Sequence, residues 1–121
     1  MTNKIGIGIV GGSINARWAP RTHIPIIESL DRFQLSAVST SNPESAEASA
    51  DAFHTVGYSD HRDLIADDNI DVVVVAVRVP LHFQPTMDAL TAGKFVYTEW
   101  PLGSSVVEAE QMVSLANDRS L

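Results

Sequence analysis

Residues 4–16 read KIGIGIVGGSINA, a short β-branched segment that runs directly into a glycine turn. Isoleucines alternate with Gly6 and Gly8, and a period of two predicts a β-strand. A literal G-x-G-x-x-G at Gly6, Gly8 and Gly11 would place two glycines inside this strand. The register that begins at Gly11 instead places the turn after the strand and reads G-x-S-x-x-A, with Ser13 at the second glycine position.

The rest of the chain alternates between short apolar runs and helical stretches. The apolar runs predict further strands at 33–38, around 55–58, at 71–77 and at 95–98. The helical patterns predict helices at about 16–30, from 43 to 53, near 60–65, at 83–91 and after residue 105. Five strands, each followed by a helix, predict parallel pairing through right-handed crossovers. We therefore expect an α/β fold with a doubly wound parallel sheet, forming one domain over residues 1–121.

Composition excludes several classes of function. Fifteen acidic residues against eight basic ones, a net charge of -7, argue against a nucleic-acid partner. The longest apolar run, residues 72–77, is too short to span a membrane. The chain has no cysteine, which removes disulfides and zinc–thiolate sites, and its four scattered histidines predict no metal site. We expect a cytoplasmic protein.

The turn after the first strand is the first candidate site, because ligands of doubly wound sheets bind beyond the carboxyl ends of the strands. Gly11, Gly12, Ser13 and Ile14 are expected to hold the pyrophosphate of a dinucleotide at the N-terminus of the following helix. An acidic side chain at Gly12 is expected to remove binding and leave the fold intact. The alternative is a glycine-rich turn without a ligand.

The end of the second strand bears on the choice of cofactor. NAD-binding proteins carry a carboxylate there, which accepts hydrogen bonds from the ribose. This sequence has Thr40 and Ser41 instead, so NADP is expected to bind at least as well as NAD. The alternative is a plain polar turn that precedes a helix.

Four segments resemble, in order, the N-terminal half of the Gfo/Idh/MocA oxidoreductase family. They are IVGGSINARWAPRTHIPII (9–27), VSTSNPESAEASADAF (38–53), DVVVVAVRVPLHFQPTMDALTAGKFVYTEWPL (71–102) and EAEQMVSLA (108–116). The most specific part is His82 followed by ALTAGKFVYTEWPL, which has the spacing of the family's His-to-AGK-to-EKP stretch. The resemblance implies a Rossmann domain that binds NAD(P). We expect the family's C-terminal substrate domain to be absent from this chain.

Three positions depart from the family's pattern. Trp100 stands at the lysine of the EKP stretch, Thr40 at the acid of the second strand, and Val77–Val79 at the usual Thr-Pro-Asn. Tryptophan has no group that can move a proton. WAPRTHIPII and TEWPL also resemble the galactose-pathway repressor-like branch of the family, which binds a dinucleotide without catalysis. The resemblance therefore implies a cofactor-binding or regulatory module, and the alternative is an oxidoreductase acting on a sugar or polyol.

Five further residues are candidates for the cofactor side of the site: Trp18, Arg78, His82, Glu99 and Trp100. Trp18 packs either near the nicotinamide or between helix and sheet. Arg78 ends the fourth strand, where a cation can contact phosphate or carboxamide. His82 is a catalytic candidate only by its family position, with a contact at the helix start as the alternative. By its family position Glu99 orients a ribose or the ring.

The fifth strand is expected to carry an open edge with Phe95, Val96 and Tyr97. An unpaired apolar edge is a template for association. We therefore expect a homo-oligomer built on this edge and the last helix, where Val106, Val113 and Leu115 are the candidate contacts. The alternative is a monomer whose last helix folds over the edge.

Overall fold

The computed structural model describes residues 3–121 and places in them five strands and five α-helices. The strands are β1 (Ile5–Val10), β2 (Phe33–Ser39), β3 (Val56–Tyr58), β4 (Val72–Val75) and β5 (Phe95–Thr98). The helices are α1 (His23–Ser29), α2 (Pro43–Phe53), α3 (His61–Ile65), α4 (Phe83–Thr91) and α5 (Val106–Asp118). Two short 3-10 turns, Ala19–Arg21 and Val79–Leu81, precede α1 and α4.

All five strands are parallel and lie in the order β3-β2-β1-β4-β5. The predicted doubly wound sheet is therefore confirmed, with β1 in the middle. Ile9 lies opposite Val38 of β2 and Val74 of β4, and Val75 lies opposite Thr98 of β5. Because the strands run the same way, their carboxyl ends and the loops that follow them share one edge of the sheet.

Apolar side chains cover both faces of the sheet. One cluster joins the sheet to α3 and α4, with Leu64, Val73, Val75 and Ala89 completely buried. The other joins it to α1, with Ile9, Ile24, Ile27, Val38 and Val74 buried. Consecutive valines of β4 thus enter opposite clusters, which accounts for the uninterrupted apolar run in that strand. Burial of each such side chain contributes roughly 1.5–3 kcal/mol.

The predicted helix over residues 16–30 is wrong at its start. The chain bends through residues 13–18, makes the 3-10 turn with Pro20, and enters α1 only at His23. Pro20 has no N–H, and its ring disfavours helical backbone in the residue before it, so a helix cannot run through this position. Pro25 lies within the first turn of α1, where its missing N–H costs no helical hydrogen bond.

The other predicted helix boundaries agree well with the structure. Asn42, Asp60 and Ser105 cap α2, α3 and α5, each accepting a backbone N–H through its side chain. Gly93 follows the end of α4 with a φ of 79°. The last predicted helix is confirmed as α5, in which Met112 is buried and Val107 is 62% exposed. None of the helices in residues 3–121 has the length and hydropathy that crossing a membrane requires.

Candidate functional site

A groove of about 810 Å³ follows the carboxyl edge of the sheet. On one side it is lined by Thr40, Ser41, Asp60 and Arg62, which we call the β2/β3 half. On the other side it is lined by Arg78, Leu81 and Glu99, which we call the β4/β5 half. The loop of residues 11–18 follows the middle strand β1 and lies between the halves, contributing Gly11, Ser13, Ala16, Arg17 and Trp18.

The first two residues of this loop are fixed by close packing. Gly11 has a φ of 89°, and a Cβ there would lie 2.6 Å from the carbonyl oxygen of Ala76. A Cβ on Gly12 would lie 2.7 Å from Cγ1 of Val38. Both N–H groups donate to the carbonyl oxygen of Ser39 at 3.1 Å. Glycine is therefore required at both positions, and Gly12 faces β2 instead of the groove.

In the remainder of the loop some N–H groups make internal hydrogen bonds and others make none among the described residues. The Ile14 N–H donates to Oγ of Ser49 in α2 at 2.9 Å, and the Ala16 N–H donates to the Ser13 carbonyl at 2.9 Å. Within residues 3–121 the N–H groups of Ser13, Arg17 and Trp18 have no hydrogen-bond partner. These three donors and the Arg17 guanidinium offer a setting for a phosphate group.

In the β2/β3 half, short polar side chains are tied to one another. Thr40 donates its hydroxyl hydrogen to the Asn42 carbonyl at 3.0 Å and accepts one from Ser45 at 2.7 Å. The Thr40 N–H donates to the Tyr58 carbonyl at 2.9 Å, which joins the loop after β2 to the end of β3. No carboxylate stands on the loop after β2, as the sequence predicted.

Asp60 and Arg62 form an ion pair at the end of the same half. Nε and Nη2 of Arg62 donate to the two carboxylate oxygens at 3.1 and 2.9 Å, and the Arg62 N–H donates to Oδ1 at 2.9 Å. The Arg62 side chain, and then its backbone N–H, hold the pKa of Asp60 at about 2. The side chain of Arg62 is 73% exposed, so its remaining donors are open to solvent.

Next to the β4/β5 half, His82 is buried between two backbone segments and does not line the groove. Its side chain is enclosed, with 1% exposure, and lies between two backbone segments. Nε2 is 2.8 Å from the Val77 carbonyl oxygen, and Nδ1 is 3.0 Å from that of Pro101. Carbonyl oxygens only accept, so a neutral ring makes one of these bonds and a protonated ring makes both. The histidine thus fastens the chain after β5 to the end of β4.

A second, smaller cavity of about 390 Å³ adjoins this half and is lined by aromatic residues and a hydrogen-bonded histidine–glutamate pair. Nε2 of His23 lies 3.0 Å from Oε2 of Glu99, and the His23 ring meets Tyr97 edge-on at 5.8 Å. Trp100 borders this cavity and is 90% exposed. Glu99 and Trp18 line both the cavity and the groove.

The charge of the groove differs from that of the whole chain. Three of the eight basic residues line it, Arg17, Arg62 and Arg78, against two of the fifteen acidic ones, Asp60 and Glu99. A chain with a net charge of -7 therefore gathers positive charge along the carboxyl edge of its sheet. Such a groove suits an anionic ligand.

Seven of the predicted cofactor-binding residues meet in this groove: Gly11, Ser13, Trp18, Thr40, Ser41, Arg78 and Glu99. Four do not line it: Gly12, Ile14, His82 and Trp100. Gly12 faces Val38, the Ile14 N–H is taken by Ser49, His82 is enclosed, and Trp100 borders the smaller cavity. The expected helix N-terminus at the turn is also wrong, because α1 begins at His23.

Asp60 and Arg62 line the groove but were not among the residues predicted from the sequence. The available signal was the short β3 strand, since the loop after β3 adjoins the loop after β2 in a sheet of this order. An acid at Gly12 is expected to disturb the fold as well, because its Cβ would meet Val38 and not the groove.

The parallel sheet, the glycine turn after β1 and the arginine-bearing groove define a dinucleotide-binding α/β protein. Residues 5–121 match the oxidoreductase family with an NAD-binding Rossmann fold, Gfo/Idh/MocA, and the chain belongs to this family. The resemblance read from the sequence is thereby confirmed.

Relatives include both enzymes and a regulator. Dehydrogenase aclE of Aspergillus oryzae is 37% identical, over 100% of this chain and 35% of its own length. The galactose/lactose metabolism regulatory protein GAL80 of Kluyveromyces lactis is 27% identical, over 98% of this chain and 28% of its own length. The structure of KijD10, a 3-ketoreductase from Actinomadura kijaniata in complex with NADP, superposes with a TM-score of 0.90 at 28% identity, covering 98% of this chain and 37% of that one. The chain thus spans about a third of the length of these proteins.

Proposed function

We propose that the groove binds NADP(H) or NAD(H), with the pyrophosphate against the loop of residues 13–18. The observation that carries this proposal is that the backbone N–H groups of Ser13, Arg17 and Trp18 have no partner in the described part of the chain and lie near the Arg17 guanidinium. Their groove also holds three of the eight basic residues. Backbone N–H groups and arginine are the donors that proteins use for phosphate oxygens. The adenosine then extends along the β2/β3 half and the nicotinamide along the β4/β5 half.

Ser13 offers the sharpest test, because it lines the groove and already carries a side chain. Ser13→Asp places a carboxylate beside the pyrophosphate and is expected to weaken binding of both dinucleotides at least tenfold, since like charges at close range repel. Ser13→Asn is the matched control with the same size and no charge. Isothermal titration with NADP+, NADPH, NAD+ and NADH measures the effect. Equal affinities of the two variants would place the ligand elsewhere.

We infer that the chain acts as a cofactor-binding module with a sensing or regulatory role and is not catalytic by itself. Trp100 at the family's lysine position is 90% exposed and has no titratable group that could act as a general acid or base. The relation to GAL80 supports the same inference. A hydride-transfer assay on the whole protein with sugar and polyol substrates tests it, and turnover of any of them would contradict it.

The second candidate function is a dehydrogenase, favoured by the 37% identity to the dehydrogenase of Aspergillus oryzae. Proton transfer would then fall to the His23–Glu99 pair, since both side chains line the smaller cavity and Glu99 also lines the groove. Glu99→Gln would stop turnover and leave cofactor affinity within about twofold, because a neutral amide keeps the shape of the side chain. Unchanged turnover in this variant would contradict that assignment.

We also propose that the protein forms a homo-oligomer through β5 and α5. Phe95 and Tyr97 on the edge strand are 57% and 58% exposed, and Val106 and Val113 of α5 are 72% and 51% exposed. Exposed apolar side chains of this kind favour association, and screening limits the repulsion of charges beyond about 8 Å at physiological salt. Leu115, the third helix residue expected there, is partly buried. Sedimentation of the whole protein and of Phe95→Glu tests the proposal: a monomer at high micromolar concentration overturns it.

A further inference from the structure

The loops after β2 and β3 form one continuous wall of the groove. Ser39 lies opposite Tyr58 in the parallel pairing, and the Thr40 N–H donates to the Tyr58 carbonyl at 2.9 Å. Arg62 follows the end of β3 by four residues and lines the same groove as Thr40 and Ser41. A ligand group that reaches the end of β2 therefore meets residues of the β3 loop as well.

A 2′-phosphate at this wall would need a cation. The loop after β2 carries none, and the Thr40 hydroxyl already donates its hydrogen to the Asn42 carbonyl. Of the three groove arginines, Arg17 belongs to the loop after β1 that is assigned to the pyrophosphate, and Arg78 follows β4, on the far side of that loop from β2. His61 is not available either, because its Nε2 is paired with Oδ2 of Asp88 in α4 at 2.7 Å.

We propose that Arg62 is the residue that selects NADP(H) over NAD(H), by donating to the 2′-phosphate from the β3 side of the groove. This inference rests on the proposed dinucleotide site and names the group that decides between its two cofactors. Arginine suits this role because its planar fork presents several N–H donors and keeps its charge at all working pH values.

Asp60 orients the Arg62 side chain for this contact. It engages two of the five guanidinium N–H groups, through Nε and Nη2, and leaves three for a ligand. Holding the side chain in one position lowers the entropy that binding must remove. The same carboxylate also repels a phosphate, so the preference for NADP(H) is expected to be moderate, and removal of the Asp60 charge is expected to raise it.

The test compares NADP+ with NAD+ by isothermal titration, using four variants of the whole protein. Arg62→Gln is expected to weaken NADP+ about tenfold and to leave NAD+ within about twofold, since a partly exposed charged hydrogen bond is lost. Arg62→Lys keeps the charge without the fork and is expected to lie between. Asp60→Asn is expected to tighten NADP+ about threefold. Arg119→Gln, which changes the same charge at the end of α5, away from the groove, is the control.

The outcomes separate this inference from the proposed function. A selective loss of NADP+ in Arg62→Gln, absent from Arg119→Gln, supports it. Unchanged NADP+ affinity, or an equal loss of both cofactors, overturns it and leaves the dinucleotide site standing. A preference of the wild-type protein for NAD+ that Asp60→Asn abolishes also overturns it, because Asp60 would then be the ribose ligand. Failure of the wild-type protein to bind any dinucleotide refutes the proposed function itself.

Discussion

The two halves of the groove differ in what their side chains are tied to. In the β2/β3 half, Thr40 and Arg62 are held by neighbouring polar groups and still face the groove. In the β4/β5 half, the polar group at the family's histidine position, His82, is enclosed in backbone contacts, and Trp100 points to solvent. In the proposed function, recognition of an anionic cofactor and transfer of a proton would depend on different strands, so the second could be lost while the first remains.

The largest effect is expected at Gly12, which belongs to neither half and supports the turn between them. Gly12→Asp would place Cβ 2.7 Å from Val38 and bury a carboxylate, so we expect the native fold to be lost. Gly93→Asn is the control: Gly93 also follows an element end, but a Cβ added there would meet no atom within 4 Å, and its φ of 79° is one that asparagine tolerates. Circular dichroism and thermal unfolding measure both variants. A folded Gly12→Asp would show that the packing against β2 is not tight.

The next effect concerns the β4/β5 half. His82→Leu removes the buried ring that lies between the carbonyls of Val77 and Pro101, with its hydrogen bonding, and is expected to lower the free energy of unfolding by about 3 kcal/mol. His82→Gln, which can keep one of the two bonds, is expected to lose less. Urea denaturation gives the values, with the exposed His54→Asn as control. If His82→Leu were as stable as the wild type, the histidine would not be the fastening between β4 and the chain after β5.

A smaller effect is expected from Thr40→Asp in the β2/β3 half. The carboxylate repels a 2′-phosphate and accepts hydrogen bonds from a ribose, so the ratio of NAD+ to NADP+ affinity is expected to rise about tenfold. Titration of Thr40→Asn separates the effect of charge from that of the lost hydrogen bond to the Asn42 carbonyl. A ratio that is the same in both variants would mean that the ribose does not reach the end of β2.

The smallest effect is expected from Trp100→Lys, which restores the family's residue. Because the side chain is 90% exposed, the free energy of unfolding should change by less than about 0.5 kcal/mol. NADP+ affinity is expected to stay within about twofold, since Trp100 does not line the groove. Denaturation and titration check both values. A large loss of affinity would show that the indole covers the bound cofactor. Cofactor binding would then depend on both halves of the groove.

The sequence predicted the elements whose signals are local. The alternation around Gly6 and Gly8, the span of α4 and the bounds of β5 were all confirmed, because apolar period and capping residues act over a few positions. The start of α1 was wrong because Pro20 and the loop geometry outweigh a helical apolar pattern.

The residues of the site could be predicted only in part, for a different reason. Whether an N–H at the turn is free depends on Ser49, which lies 35 positions after Ile14. The place of Arg62 in the groove depends on the pairing of β2 with β3, which no spacing in the sequence encodes. Burial of His82 between two carbonyls likewise joins segments that are 5 and 19 residues away from it.

The anchoring of the glycine turn also bears on when the groove forms during folding. Gly11 and Gly12 are held by the Ser39 carbonyl, and Ile14 is held by Ser49 of α2. The turn therefore acquires its shape only after a loop of several tens of residues has closed. Closing this loop costs conformational entropy, which the non-local contacts offset only once they have formed. A dinucleotide has nothing to bind in the nascent chain before α2 has docked, and it then stabilises the finished domain by mass action. Occupancy of the groove would thus report that the first crossover of the sheet is complete.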